Sequence, residues 1–124
     1  MSLTITTSML AGGVVEILPS GEIDVENAYE IRDAIAGQLS HARPALIQLD
    51  MHRVTFIDSV GISALVSAFQ IAAVSGVKLV VTRPSRFAHR QLWVTGLLGL
   101  FGAPEPYRGS DDPSITPAAS YTAF

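Results

Sequence analysis

Two segments carry side chains with chemistry to offer: Gly21-Glu22-Ile23-Asp24 and Phe56-Ile57-Asp58-Ser59-Val60-Gly61. A serine that opens a helix holds its hydroxyl near backbone N–H groups with no partner inside the helix. A phosphate attached there would be stabilised by those donors and by the positive helix end. Asp58 beside it would oppose a dianion by like-charge repulsion, so modification would change both local geometry and surface charge. Asp and Ser are also the ordinary N-cap residues, and spacing alone favours simple capping. Gly61 would then serve tight packing in the first turn. Nucleophilic catalysis fits less well, because an elbow needs Gly-x-Ser-x-Gly and Ile57 holds the first glycine position around Ser59. No spacing among His41, His52 and His89 nominates a base, and none of them pair at i, i+4 as metal ligands; each reads as a surface or boundary residue. The chain lacks Gly-x-x-x-x-Gly-Lys, and Gly96 and Gly99 read as helix-end flexibility rather than a dinucleotide fingerprint. No cofactor is expected.

The elements that must position these residues follow from periodicity. Leu3, Ile5 and Thr7 alternate with polar residues, Ala11-Gly12-Gly13 is a turn, and Val14–Leu18 is β-rich, which together predict an antiparallel hairpin. Pro19-Ser20-Gly21 is expected to break the second strand. Asp24 suits a helix N-cap, with Asn27 in place of the Glu or Gln of a capping box. Ala28, Ile31, Ile35 and Leu39 then form one apolar stripe, and His41-Ala42-Arg43-Pro44 ends that helix. Ala45–Leu49 reads as a buried strand ending in Asp50, with Val54–Ile57 a second β-favouring run close behind it. After Asp58-Ser59, Ile62, Leu65, Val66, Phe69 and Ala73 predict a core-facing helical stripe, stopped at Ser75-Gly76. Val77–Val81 is a strand. Thr82-Arg83-Pro84-Ser85 starts a third helix with apolar positions Phe87, Leu92, Val94, Leu97 and Leu98, and Leu100-Phe101 is expected to open a short edge strand.

The order ββαβαβα predicts a small α/β domain with a mixed sheet: an N-terminal antiparallel hairpin, parallel βαβ units, and helices packed on the sheet. Sites in such sheets gather beyond the carboxyl ends of the strands, where both candidate segments fall. Residues 1–102 are expected to form the domain. Residues 103–124, holding Pro104, Pro106, Pro113 and Pro117, are expected to be a Pro-rich, mostly irregular segment, with the stretch from Gly109 onward a poor fourth helix.

Composition narrows the function classes. With 124 residues, 48% of them hydrophobic, the chain can bury a core and is not wholly disordered. The absence of cysteine excludes disulfides, thiolate ligation and cysteine nucleophiles, and fits a reducing, cytoplasmic setting. A net charge of −3 supplies no footprint for direct nucleic-acid binding. The longest mostly apolar stretch, Gly61 to Val77, is interrupted by Ser63, Ser67, Gln70 and Ser75, so no membrane insertion is expected.

The run Leu49-Asp50-Met51-His52-Arg53-Val54-Thr55-Phe56-Ile57-Asp58-Ser59-Val60-Gly61-Ile62 resembles the signature of the STAS family, the bacterial anti-sigma factor antagonists and related domains of sulfate transporters. Gly21-Glu22-Ile23-Asp24 with Ala28 and Ile31-Arg32 is similar to that family's first loop and helix. Gly76-Val77-Lys78-Leu79 and Thr95-Gly96-Leu97 resemble later family positions, so the match runs from about Val14 to Phe101. The resemblance implies that Ser59 is the serine phosphorylated by a cognate anti-sigma factor, itself a serine kinase. Asp58 would shape that site, and Asp24 would lie beside it. Asp24, Asp58, Ser59, Val60 and Gly61 are thus the expected partner-binding residues. The unphosphorylated antagonist would bind the kinase and free sigma, phosphorylation would weaken binding, and a PP2C-type phosphatase would restore it. On this reading the chain is a substrate and a switch, not an enzyme. The alternative implied is a scaffolding STAS domain, never phosphorylated, in a signalling or lipid-transport assembly. His52, Arg53 and Val60 depart from the usual family pattern.

Overall fold

A computed structural model describes residues 2–108. Strand β1 (Leu3–Leu10) pairs antiparallel with β2 (Val14–Ile23) in a register running from Leu3↔Gly21 to Leu10↔Val14. A single 3-10 turn, Ala11–Gly13, joins them, with Gly12 and Gly13 at φ +77° and +76°, where side chains are disfavoured. The long β2 is the spine of the sheet. Its first half pairs parallel with β3 (Leu46–Asp50) and its last residues pair parallel with β4 (Val54–Ile57), so β3 and β4 lie end to end along it. Strand β5 (Lys78–Thr82) continues the sheet beside β3, giving the order β1-β2-β3-β5. Helices α1 (Ala28–His41) and α2 (Ser59–Val74) pack against each other, and α3 (Arg86–Val94) packs on β4. This is the expected mixed α/β fold, with the hairpin antiparallel and the remaining pairs parallel.

The core forms where strand alternation meets the helical stripes. Val15, Ile17 and Ile23 of β2, Ile47 and Leu49 of β3, and Leu79 of β5 are buried together with Ile31 and Ile35 of α1 and Leu65 of α2. Four sequence expectations need correction. Pro19-Ser20-Gly21 does not break β2, which runs on to Ile23. Residues 18–20 fall between the stretches of β2 paired with β3 and with β4, so on that flank a residue lacking N–H disrupts no ladder. On α2, Ala73 is exposed, while Ala68 and Ala72 are fully buried. Hydrophobic size pointed to a stripe along the large residues, but the closely packed face is lined by small alanines. On α3, Val94 is exposed, and Leu97 and Leu98 lie in the turn that follows, because Gly96 at φ +74° has already ended the helix.

Leu100-Phe101 forms a turn rather than a strand. Phe101 nevertheless belongs to the core: it is fully buried, its ring meets Phe69 edge-on at 5.8 Å, and its carbonyl accepts from the Val81 N–H at 3.2 Å. The segment therefore covers the β5 edge without extending the sheet. Of the C-terminal segment, residues 103–108 have no regular secondary structure, and the stretch read as a poor fourth helix lies outside the described residues. Phe101→Ala should lower stability by about 3–5 kcal/mol, the range for emptying a buried phenylalanine site. In urea unfolding the midpoint should fall with an unchanged slope; a loss comparable to a surface substitution would show that the turn does not belong to the core.

Candidate functional site

The two segments singled out by their chemistry meet at the ends of neighbouring parallel strands. Ile23 pairs with Ile57, so the loop leaving β2 and the start of α2 leave the sheet side by side. The Asp58 N–H donates to the Ile23 carbonyl at 3.1 Å, tying the two exits together. Asp58 is the N-cap of α2, its Oδ1 accepting from the Gly61 N–H at 2.9 Å while its carbonyl accepts from Ile62. Helix geometry leaves the Ser59 and Val60 N–H groups without partners inside α2. Both residues are exposed. Ser59 thus combines an outward hydroxyl, a helix N-terminus that favours an anion, and an adjacent carboxylate that opposes one.

Asp24 is almost fully buried and is held by its own turn. Its Oδ1 accepts from the Glu26 N–H at 2.9 Å, while Asn27 accepts from the Asp24 N–H at 2.9 Å and donates through Nδ2 to the Glu22 carbonyl at 2.8 Å. The reciprocity resembles a capping box, with Asn27 in the reaching-back role the sequence suggested. The regular helix begins only at Ala28, so its N-cap is Asn27 and not the expected Asp24, which instead opens a preceding turn closed by the Ala28 N–H to Asp24 carbonyl bond at 2.8 Å.

Gly61 is buried and has no room for a side chain. A Cβ there would lie 2.6 Å from Ile57 Cγ1, 2.9 Å from Ile23 Cγ2 and 3.1 Å from the Ile23 carbonyl oxygen. The first turn of α2 therefore rests directly on the ends of β2 and β4.

Beside Ser59, α1 and α2 enclose an open groove of about 300 Å³ lined by Val25, Tyr29 and Arg32 on one wall and by Val60, Ala64 and Ser67 on the other. Val25 is 68% exposed and Tyr29 55% exposed. Sequence reasoning did not single out this wall. Its signal was a second i, i+4, i+7 row, Val25-Tyr29-Arg32, running beside the core stripe of α1.

A further polar centre lies at the carboxyl ends of β3 and β5. Asp50 is fully buried, accepts from the backbone N–H and ring Nδ1 of His52 at 3.1 and 2.7 Å, and accepts two hydrogen bonds from the Arg83 guanidinium. Burial alone would push the Asp50 carboxyl up, but the bonds from His52 and Arg83 outweigh it and hold the group below its usual range. The same bond to Asp50 raises the Arg83 pKa further. Tyr107 closes the cluster, its ring centroid 4.9 Å from that of His52 and 5.1 Å from the Arg83 guanidinium carbon. His52 is a boundary residue as expected and His41 is exposed. His89 corrects the sequence reading: it is buried on the inner face of α3, and desolvation holds its pKa down.

Gly61→Ala should destabilise the domain by about 1–3 kcal/mol through overpacking, whereas Ser59→Ala should stay within about 0.5 kcal/mol of the parent; chemical denaturation of both measures the contrast. Acid should weaken the fold in two stages. Above the ordinary histidine pKa of about 6.5, His89 is neutral in both folded and unfolded chains and has no effect. Below it, the unfolded chain takes up a proton that buried His89 resists, so stability falls as pH drops toward the lowered folded value. The Asp50 contribution is complete above the unfolded carboxyl value of about 3.9 and is lost as pH falls through the lower folded value. Arg83→Ala should cost about 1.5–3 kcal/mol, the range for a charged hydrogen bond, and should flatten the acid stage in unfolding free energies measured against pH.

The profile of the STAS domain family matches residues 10–111. An anti-sigma factor antagonist from Mycobacterium paratuberculosis superposes with a TM-score of 0.72 at 26% identity, over 90% of each chain. The antagonist SpoIIAA, solved unphosphorylated and, for Bacillus, phosphorylated, superposes with TM-scores of 0.69 and 0.64. Identity is 19% in both cases, over 85% of this chain and 89% and 92% of those chains. A sulfate transporter family protein from Wolinella succinogenes shares the fold with a TM-score of 0.62 and 22% identity over 77% of each chain. Comparison with curated proteins finds no match. The profile match spans most of the chain, and the mixed sheet agrees with it: the chain belongs to the STAS domain family.

Proposed function

We propose that this protein is an anti-sigma factor antagonist, a protein-binding switch read by a serine kinase and set at Ser59. The observation that carries the reading is the position of Ser59: exposed, first in α2, and directly after the capping Asp58 at the junction of two parallel strand ends. Unphosphorylated, the chain presents Ser59 and Val60 beside the α1–α2 groove to an anti-sigma factor, with Asp24, Asp58 and Gly61 shaping the surface from beneath. The anti-sigma factor transfers a phosphoryl group from ATP to the Ser59 hydroxyl, and a PP2C-type phosphatase removes it. The chain is the substrate in both steps and works in the cytoplasm, where ATP is available.

Phosphorylation would add about −1.5 to −2 charges to a chain of net charge −3. Placed beside Asp58 and covered by a partner, that charge should cost several kcal/mol. Since about 1.4 kcal/mol is tenfold in affinity, binding should weaken by roughly 100-fold or more. Ser59→Ala should bind the anti-sigma factor like the parent and resist phosphorylation, and Ser59→Asp should bind weakly. Titration calorimetry and intact mass after incubation with the kinase and ATP read both. An unmodified Ser59 in the presence of an active kinase would sink the switch.

The fold shared with a sulfate transporter family protein favours a second reading, a STAS domain that scaffolds an assembly and is never phosphorylated. Among the described residues no helix is long and apolar enough to cross a membrane. Affinity capture separates the two: an ATPase of the serine-kinase type as main partner supports the switch, and transporter subunits or other STAS proteins support the scaffold.

A further inference from the structure

The two edges of the sheet are treated differently. At the β5 edge, the Phe101 carbonyl accepts from the Val81 N–H, Lys78 opens the strand, and Pro84 follows it closely. At the other edge, β1 pairs among the described residues only with β2, and its outer row of backbone groups faces away from the sheet. From Ser2 to Gly13 the sequence holds no charged side chain and no proline. Natural sheets protect edges with charge, proline, bulges or cover, and an eight-residue neutral edge without them is a template for another strand.

We propose that β1 pairs with β1 of a second copy of this chain, antiparallel about a two-fold axis at Thr6, joining the two sheets into one. The occupant follows from the self-complementarity of the strand. Antiparallel neighbours directly opposite each other point to the same face, so only pairings of like parity keep both faces intact. Centred on Thr6, the strand sets Leu3 against Met9 and Ile5 against Thr7 on one face. The other face sets Thr4 against Ser8 and Thr6 against its own mate, hydroxyl to hydroxyl. Leu3 and Ile5 pack on the core, whereas Met9 is 66% exposed and Leu10 is 42% exposed. Pairing in this register extends the apolar cover of Leu3 over the partner's Met9. A strand carrying Lys or Glu would bring like charges across the axis; this one brings none. The interface is isologous and closed, so it stops at two copies. It lies on the far side of β2 from β3 and β4, and it does not depend on the reading of Ser59.

Light scattering coupled to size exclusion, run on the full chain over a dilution series, tests the proposal. The expected result is a mass that rises from monomer to twice that value with concentration. Thr6→Lys, which sets two ammonium groups against each other at the axis, should return the mass to monomer at every concentration and melt like the parent at concentrations where the parent is monomeric, and Thr6→Val should retain the dimer. Hydrogen exchange of the β1 amides should slow as concentration rises. A parent that stays monomeric throughout overturns the proposal, as does a dimer indifferent to Thr6→Lys. Protection of β1 that does not vary with concentration also overturns it, because the edge is then covered by residues of the same chain.

Discussion

The first turn of α2 lies so close to the ends of β2 and β4 that Gly61 is the residue that fits without displacing Ile23 or Ile57. The geometry of the candidate switch depends on that approach. With the underside of the turn seated on two isoleucines and its cap tied to the Ile23 carbonyl through Asp58, the helix has no slack beneath it. Its open end, with Ser59 and Val60, faces solvent. A charge added at Ser59 therefore cannot be relieved by rocking the helix into the core, which is close-packed. It must be met at the surface, by solvent or by whatever covers the site.

The carboxylates at the strand ends show how local geometry decides what a buried acid needs. Asp24 and Asp58 each precede a helix, and N–H groups close behind them, at Glu26 in the turn before α1 and at Gly61 in the first turn of α2, satisfy them. Asp50 is followed by the short crossing to β4 and has no helix start to serve it. It is buried more completely than either, and it takes a guanidinium from the end of β5 and an imidazole from two residues on. His52 offsets part of the cost of burying its charge locally, and the pairing of β3 with β5 offsets more by bringing Asp50 and Arg83 together across 33 positions of sequence.

Local patterns predicted the elements well where one periodicity dominated. The stripe Ala28-Ile31-Ile35, the cap at Asp58, the helix start at Ser85 and the glycine stop at Gly76 all stand where local pattern put them. Failures came where tertiary context overrode local preference. Pro19 sits inside a strand because the flanking partner is interrupted there, and Phe101 reaches the core from a turn because the β5 edge needed cover. His89 is buried because α3 turns that face inward. The groove beside Ser59 needs both its walls, Val25, Tyr29 and Arg32 on one side and Val60, Ala64 and Ser67 on the other, so neither helix alone encloses it.

The sequence by itself determined the α/β class, the cap at Asp58 and the serine that opens α2, because these depend on side chains within a few positions of one another. It also carried the neutrality of β1, which is a matter of composition. Only the tertiary structure decided that the segments around Asp24 and Asp58 share one site, since that follows from the pairing of Ile23 with Ile57. It likewise decided that Asp50 meets Arg83 and that one sheet edge is covered while, among the described residues, the other pairs on one side only. Those outcomes depend on which strands lie side by side. Strand order is fixed by the burial of both sheet faces and the closure of long loops, and no local window of sequence contains either.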